Sequence, residues 1–183
     1  FKSAPNYEAP ADAGGNNVYN IAVGASDGTN TTTKAVAITV TNVNEAPTIT
    51  SGAAASFAEN ASGTVYTVAA TDQDAGATLT YSLTGTDAAR FNINSSTGAI
   101  TFKSSPNYEA PTDAGANNVY DVTVRASDGT NITSKAVAIT VTNVNEAPTI
   151  TSAATAGFVE NGTATAYTAS ATDPDAGATL RYP

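Results

Sequence analysis

Hydrophobic and polar residues alternate with a period of two along much of this 183-residue chain. "VYDVTVRAS" sets Tyr120, Val122, Val124 and Ala126 against Asp121, Thr123 and Arg125, the pattern of a strand with one buried face. "KAVAITVTN" puts Val137, Ile139 and Val141 on one face, and "TLTYSL" does the same with Leu79, Tyr81 and Leu83. "FNINSSTGAITF" predicts a hairpin, with Phe91 and Ile93 before a Ser-Ser-Thr-Gly turn and Ile100 and Phe102 after it. With "PTIT" and "VYTVAATD" the count reaches about seven strands, the number a Greek-key β-sandwich needs.

The pattern is written more than once. "FKSAPNYEAP" at Phe1 returns as "FKSSPNYEAP" at Phe102, "VTNVNEAPTIT" at Val40 returns at Val141, and "TDQDAG" at Thr71 returns as "TDPDAG" at Thr172. Every match has the same offset of 101 residues. Aligning 1–47 with 102–148 leaves nine differences, and aligning 48–82 with 149–183 leaves thirteen. The non-conservative changes within "VYNIAVGAS" fall on the outward face (Asn20, Ala22 and Gly24 become Asp121, Thr123 and Arg125), while the inward face changes only from Ile21 to Val122. A period this long is one whole sandwich and far exceeds a solenoid unit. We therefore expect 1–47 to be the C-terminal part of one repeat, 48–148 a complete repeat, and 149–183 the N-terminal part of the next. A start on Phe1 without Met reads as a window from something longer.

Composition narrows the chemistry. The chain has no Cys, Met, Trp or His. Missing His removes the usual acyl-transfer base and the commonest transition-metal ligand, and missing Cys removes thiolate nucleophiles and zinc thiolates. A net charge of -9 argues against binding nucleic acid, which needs cationic phosphate contacts. No apolar run approaches the ~20 residues that span a bilayer, so no membrane insertion is expected. An acidic surface points to cations.

The sixteen acidic residues are concentrated. Twelve lie in recurring motifs: "NYEAP" (Glu8, Glu109), "NVNEAP" (Glu45, Glu146), "AEN/VEN" (Glu59, Glu160), "TDxDAG" (Asp72, Asp74, Asp173, Asp175) and "ASDG" (Asp27, Asp128). Taken singly, each has a plain reading. "TDQDAG" serves equally well as a turn, "VNEAP" as a proline-stopped linker, and Glu109 as a solvated charge. An EF-hand is excluded, because the twelfth position from Asp72 is Leu83.

Together and in order, these motifs resemble those of bacterial cadherin-like tandem repeats. "FAEN" is similar to the family's first-strand Glu motif, "TDQDAG" to its Asp-x-Asp motif, "NYEAP" to its Asp-Arg-Glu or Asp-Tyr-Glu motif, "RASDG" to its Ala-x-Asp motif, and "TNVNEAP" to its Asp-x-Asn-Asp linker. The resemblance implies an all-β fold of seven-stranded, Ig-like Greek-key sandwiches joined end to end, with Ca2+ between consecutive repeats. It assigns Asn6, Glu8, Asn42, Asn44, Glu45, Asp72, Asp74 and Asp128 to a first junction. A second draws on Glu59, Asn107, Glu109, Asn143, Asn145, Glu146, Asp173 and Asp175. Asn42, Asn143, Asn6 and Asn107 stand where the family usually has Asp, so fewer or weaker ions per joint are expected. The donors are all oxygens, as a hard cation taking 6–8 ligands requires.

The function expected is a calcium-rigidified spacer or filament repeat of a large extracellular bacterial adhesin or cell-surface protein. Its partners would be neighbouring repeats of the same or an adjacent chain. The alternative is a polysaccharide-binding or homophilic module, which needs an aromatic platform; Tyr7 and Tyr108 are the repeated aromatic residues beside a polar motif. An enzyme is not expected.

Overall fold

We describe residues 1–182 in a computed structural model of the chain. The order of elements is β1 (Val18–Ser26), β2 (Thr31–Thr39), β3 (Thr48–Ile49), β4 (Ala54–Ala58), β5 (Thr64–Thr67), β6 (Ala70–Thr71), β7 (Thr80–Thr84), β8 (Phe91–Ile93), β9 (Ala99–Phe102), β10 (Val119–Ser127), β11 (Ile132–Thr142), β12 (Thr149–Ile150) and β13 (Ala171–Thr172). One 3₁₀ turn, Ala88–Arg90, precedes β8. Among the described residues no helix is long and apolar enough to cross a membrane.

The central stretch is a sandwich. One sheet has the order β4-β11-β10-β7, and β5-β9-β8 faces it, with the short pair β3-β6 beside them. β4 runs parallel to β11, and the other pairs are antiparallel. Side chains on a strand point alternately to the two faces, so the period-two sequence delivers one face to the core. Tyr120, Val122, Val124 and Ala126 are buried on β10, and Val137, Ile139 and Val141 on β11. Val65, Tyr66, Phe91 and Ile100 face them from the other sheet, with Leu83, Ile93 and Phe102 at the margin. Edge-to-face contacts of Tyr120 with Phe91 and Phe102 join the two layers at centroid distances of 5.7 and 5.1 Å.

The first two strands of the sandwich depart from the simple reading. "PTIT" continues past Ile49 into a second segment on the other sheet, so β3 pairs with β6 while β4 pairs with β11. "VYTVAATD" is split at 68–69, and β5 joins β9 through an irregular register between Thr64 and Tyr66. Interrupting an edge strand lets it close both layers and leaves no long open edge.

The repeat persists in the register. Val18 pairs with Thr39 as Val119 pairs with Thr140, and Thr48 pairs with Thr71 as Thr149 pairs with Thr172. Burial does not persist. Ile21 and Val23 are 46% and 52% exposed, whereas Val122 and Val124 are 2% and 0% exposed. The layer that covers β10 comes from 64–102, and the β1–β2 hairpin has no such layer on it. The expected inward face of β1 is therefore open.

Candidate metal centre at the two linkers

Local hydrogen bonding sets up "NYE" before any partner arrives. Asn6 Oδ1 accepts the backbone N–H groups of Glu8 (2.8 Å) and Ala9 (3.2 Å), and Asn107 Oδ1 accepts that of Ala110 (2.8 Å). These are Asx-type turns. Asn17 and Asn118, both at a φ of 63°, donate their amides to the carbonyls of Tyr7 and Tyr108 at 2.9 Å. Asp12 and Asp113 cap the loops that hold those two asparagines. The Asn6 and Asn107 oxygens thus build the turns that position Glu8 and Glu109.

At the first linker, Glu8, Glu45 and Asp74 bring carboxylate oxygens within 4.8 Å of one another. Asp74 Oδ1 accepts the Asn42 amide (2.8 Å), and Asp74 Oδ2 accepts the Glu45 N–H (2.9 Å). Asp72 Oδ1 in turn accepts the Asp74 N–H at 2.9 Å. The linker is thereby stitched to the loop after β6. Asn44 donates to the Glu45 carbonyl (3.0 Å) and to Asp128 Oδ2 (2.8 Å), so Asp128 stands to one side of the three-carboxylate group.

At the second linker the converging group is Glu59, Glu109 and Glu146, again within 4.8 Å. Glu59 is 2% exposed; its carboxylate accepts the N–H groups of Tyr108 (2.7 Å) and Val144 (2.8 Å). Asn143 donates to Glu109 Oε1 (3.0 Å), and Asn145 to the Glu146 carbonyl (2.9 Å). Asp175 Oδ2 accepts the Glu146 N–H (2.9 Å), and Asp173 Oδ1 accepts the Asp175 N–H (3.0 Å). Asp175 and Asp173 thus flank the group and tie the linker to the loop after β13.

Sequence reasoning missed two residues here. Asn60 donates to Glu146 Oε1 at 2.6 Å, and Asn131 donates to the carbonyls of Asn44 and Glu45 at 3.2 Å. Their signal was the 101-residue recurrence itself, since "EN" returns at Glu160-Asn161 and "DGTN" stands at both Asp27 and Asp128.

The donor set fits a hard cation. Glu8 Oε1, Glu45 Oε2, Asp72 Oδ2, Glu109 Oε2 and Glu146 Oε2 are each buried with no hydrogen-bond partner. Buried polar atoms in native proteins nearly always find one, and an unpaired buried charge is costly. Desolvation first, then the charges of Glu8, Asp74 and Asp72, push the Glu45 carboxyl above the ordinary glutamate range. Glu146 is raised by desolvation and then by Glu59, Glu109 and Asp175. Desolvation raises Glu109 as well, with Glu59 and Asp175 adding to it. The charges acting on these groups are all negative, so a cation is the missing complement. Asp128 differs: backbone N–H groups of Asn131 and Thr130 and the Asn44 amide hold its carboxyl below the usual range.

The sequence model of the cadherin domain matches residues 53–145, just over half of the chain. No curated protein matches it. Among solved structures, human protocadherin-24 EC1-2 superposes with a TM-score of 0.53 at 22% identity, over 74% of this chain and 62% of that one. Protocadherin gamma B7 extracellular cadherin domains 1-4 give 0.57 at 24% identity, over 88% and 42%. The protocadherin gammaB4 extracellular domain gives 0.56 at 26% identity, over 96% and 28%. The chain thus spans less than two thirds of the length of these relatives. Cadherin domains are Ig-like β-sandwiches, non-enzymatic adhesion modules that in general bind Ca2+. With the domain match lying over the sandwich and both carboxylate groups meeting at its ends, the chain belongs to the cadherin family.

Proposed function

We propose that this chain is a calcium-rigidified spacer from a large extracellular bacterial adhesin or surface protein. Residues 48–148 form one complete repeat, 1–47 carry the late strands of the repeat before it, and 149–183 the early strands of the repeat after it. The observation that carries this reading is the set of buried, partnerless carboxylate oxygens at both copies of the linker. Glu8, Glu45, Asp72 and Asp74 would hold calcium at the first joint, and Glu59, Glu109, Glu146 and Asp175 at the second. Asn42 and Asn143 orient Asp74 and Glu109 through their amides, and the outer amides and Asp173 support those residues. When bound, the ion supplies the positive charge that offsets crowded carboxylates and cross-links two successive repeats.

Every other contribution is the chain's own. Glu59 is locked by two backbone N–H groups, so it enters the joint preorganised. The Glu45–Asp74 and Glu146–Asp175 backbone contacts seat each linker against the loop that follows it. Extracellular modules of this kind commonly bind calcium with a Kd of about 10⁻⁴–10⁻³ M. Calorimetric titration with calcium, together with amide hydrogen exchange at 143–147, tests the reading. Binding heat and slower exchange with calcium than with EGTA are expected; no heat and equal exchange refute it.

A further inference from the structure

Asn60 follows β4 and reaches across to the second linker. Its backbone N–H donates to the Pro106 carbonyl at 2.9 Å, and the N–H of Glu59 before it donates to the Thr142 carbonyl at 3.0 Å. Its φ is 57°, in the left-handed region that asparagine tolerates better than most residues. Asn161, one repeat later, has a φ of 62°, so the conformation belongs to the position. Held in this way, the Asn60 side-chain amide donates to Glu146 Oε1 at 2.6 Å.

That bond acts on a carboxylate with two unlike oxygens. Glu146 Oε2 is buried and has no donor, while Oε1 has the Asn60 amide. Glu109 is divided in the same way, with Oε2 buried and donorless and Oε1 accepting the Asn143 amide at 3.0 Å. The terminal torsion of a glutamate is broad, so an unheld carboxylate swings and has to be ordered when an ion arrives. Holding one oxygen stops the swing and leaves the other for the ion. An amide carries no net charge, so it does this without the repulsion that a Lys or Arg in its place would exert on a cation. At the first linker the nearby amides go elsewhere. Asn42 donates to Asp74, and Asn44 to Asp128 and the Glu45 carbonyl, so among the described residues no side-chain amide holds the Glu45 carboxylate.

We propose that Asn60 is a positioning residue for the second joint, fixing Glu146 by one oxygen so that the other is presented to a calcium ion beside Glu59 and Glu109. The inference rests on the spacer reading for the identity of the ion, whereas the grip of Asn60 on Glu146 is a property of the chain alone. The second joint thereby depends on a residue that has no equivalent contact at the first, and the first serves as its internal control.

Asn60→Gly removes the amide and keeps a residue at ease with a positive φ. Calcium titration followed by NMR at the backbone N–H groups of Glu45 and Glu146 reads the two joints separately. Asn60→Gly is expected to raise the calcium midpoint at Glu146 about threefold to tenfold and to leave that at Glu45 within about 1.5-fold. In EGTA, a double-mutant cycle with Glu146→Ala reads the grip without the ion. The shift in urea midpoint caused by Asn60→Gly should be more destabilising, by about 0.3 M or more, when Glu146 is present than when it is Ala. Asn60→Asp, which also tolerates a positive φ and lacks the donor, serves the same cycle if Asn60→Gly does not fold. An unchanged midpoint at Glu146, or equal shifts at both joints, overturns the positioning role. Additive effects in EGTA overturn the grip. If the wild type binds no calcium, the spacer reading fails, and the EGTA cycle still decides whether Asn60 holds Glu146.

Discussion

Glu59 accepts the backbone N–H of Val144 at 2.8 Å, so the carboxylate at the end of the first strand holds the linker that leaves the last strand. The same side chain takes the Tyr108 N–H at 2.7 Å and is buried. One residue therefore fixes three segments at the pole of the sandwich. This makes Glu59 a structural group as well as a candidate ligand, and the two roles separate by experiment. Glu59→Ala removes two backbone hydrogen bonds to a charged acceptor, each contributing about 1.5–3 kcal/mol. The expected loss is roughly 2–4 kcal/mol in urea denaturation, with the loss already present in EGTA. A variant as stable as wild type without calcium would remove the structural role.

The groups that meet at the linkers should respond to neutralisation with opposite signs in the two conditions. Glu45, Glu109 and Glu146 have carboxyls raised in the folded chain, chiefly by desolvation. A raised carboxylate binds its proton more tightly folded than unfolded, so its ionisation costs stability at neutral pH, and the cost fades as pH falls through the raised value. In EGTA, Glu146→Gln should therefore melt higher than wild type at pH about 7, with the gap closing towards pH about 4. In calcium the same variant should melt lower. Comparing each variant with wild type at the same pH cancels the opposite trend of Asp12, Asp27 and Asp128, whose lowered carboxyls lose stability in acid. A Glu146→Gln variant that melts lower in both conditions would refute the crowding argument.

What the alternation could specify was a local property. Period-two burial on β10 and β11 and the β8–β9 hairpin followed from side-chain direction alone. The sheet switch after Ile49 and the break at 68–69 did not, because they depend on which neighbour each half-strand pairs with. At the linkers the acidic positions were legible as a recurring set. The division of labour was not: Asn6 and Asn107 turned out to build turns, and Asn60 and Asn131 to grip the joint, all through contacts that sequence spacing does not encode.

Gly98 closes the β8–β9 hairpin against the neighbouring strand. Its φ is +71°, and an added Cβ would lie 2.5 Å from the Val68 carbonyl oxygen. Its N–H donates to the Asn94 carbonyl at 2.9 Å, and its own carbonyl accepts the Val68 N–H at 2.9 Å. Gly98→Ala combines a left-handed penalty of about 1–2 kcal/mol with a backbone clash. We expect a total loss of roughly 2–4 kcal/mol in chemical denaturation. A loss below about 1 kcal/mol would mean that the hairpin can shift away from Val68.

The two copies of the capped loop offer a natural experiment at one backbone position. Gly15 adopts a φ of 60° in "DAGGNN", and Ala116 adopts 49° in "DAGANN". Nothing lies within 4 Å of a Cβ built on Gly15, so the two sites differ in backbone preference rather than in packing. Alanine in the left-handed region is strained by about 1–2 kcal/mol, while glycine is penalised for the extra freedom it loses on folding, by about 0.5–1 kcal/mol. The strain is the larger of the two. Ala116→Gly should therefore stabilise the sandwich by about 0.5–1 kcal/mol, measured as a shift of the urea midpoint at constant slope. A fall in the midpoint would show that chain entropy outweighs strain in this loop. The calcium response should not change, because residue 116 only shapes the loop whose Asn118 holds the Tyr108 carbonyl, and that hydrogen bond survives either side chain.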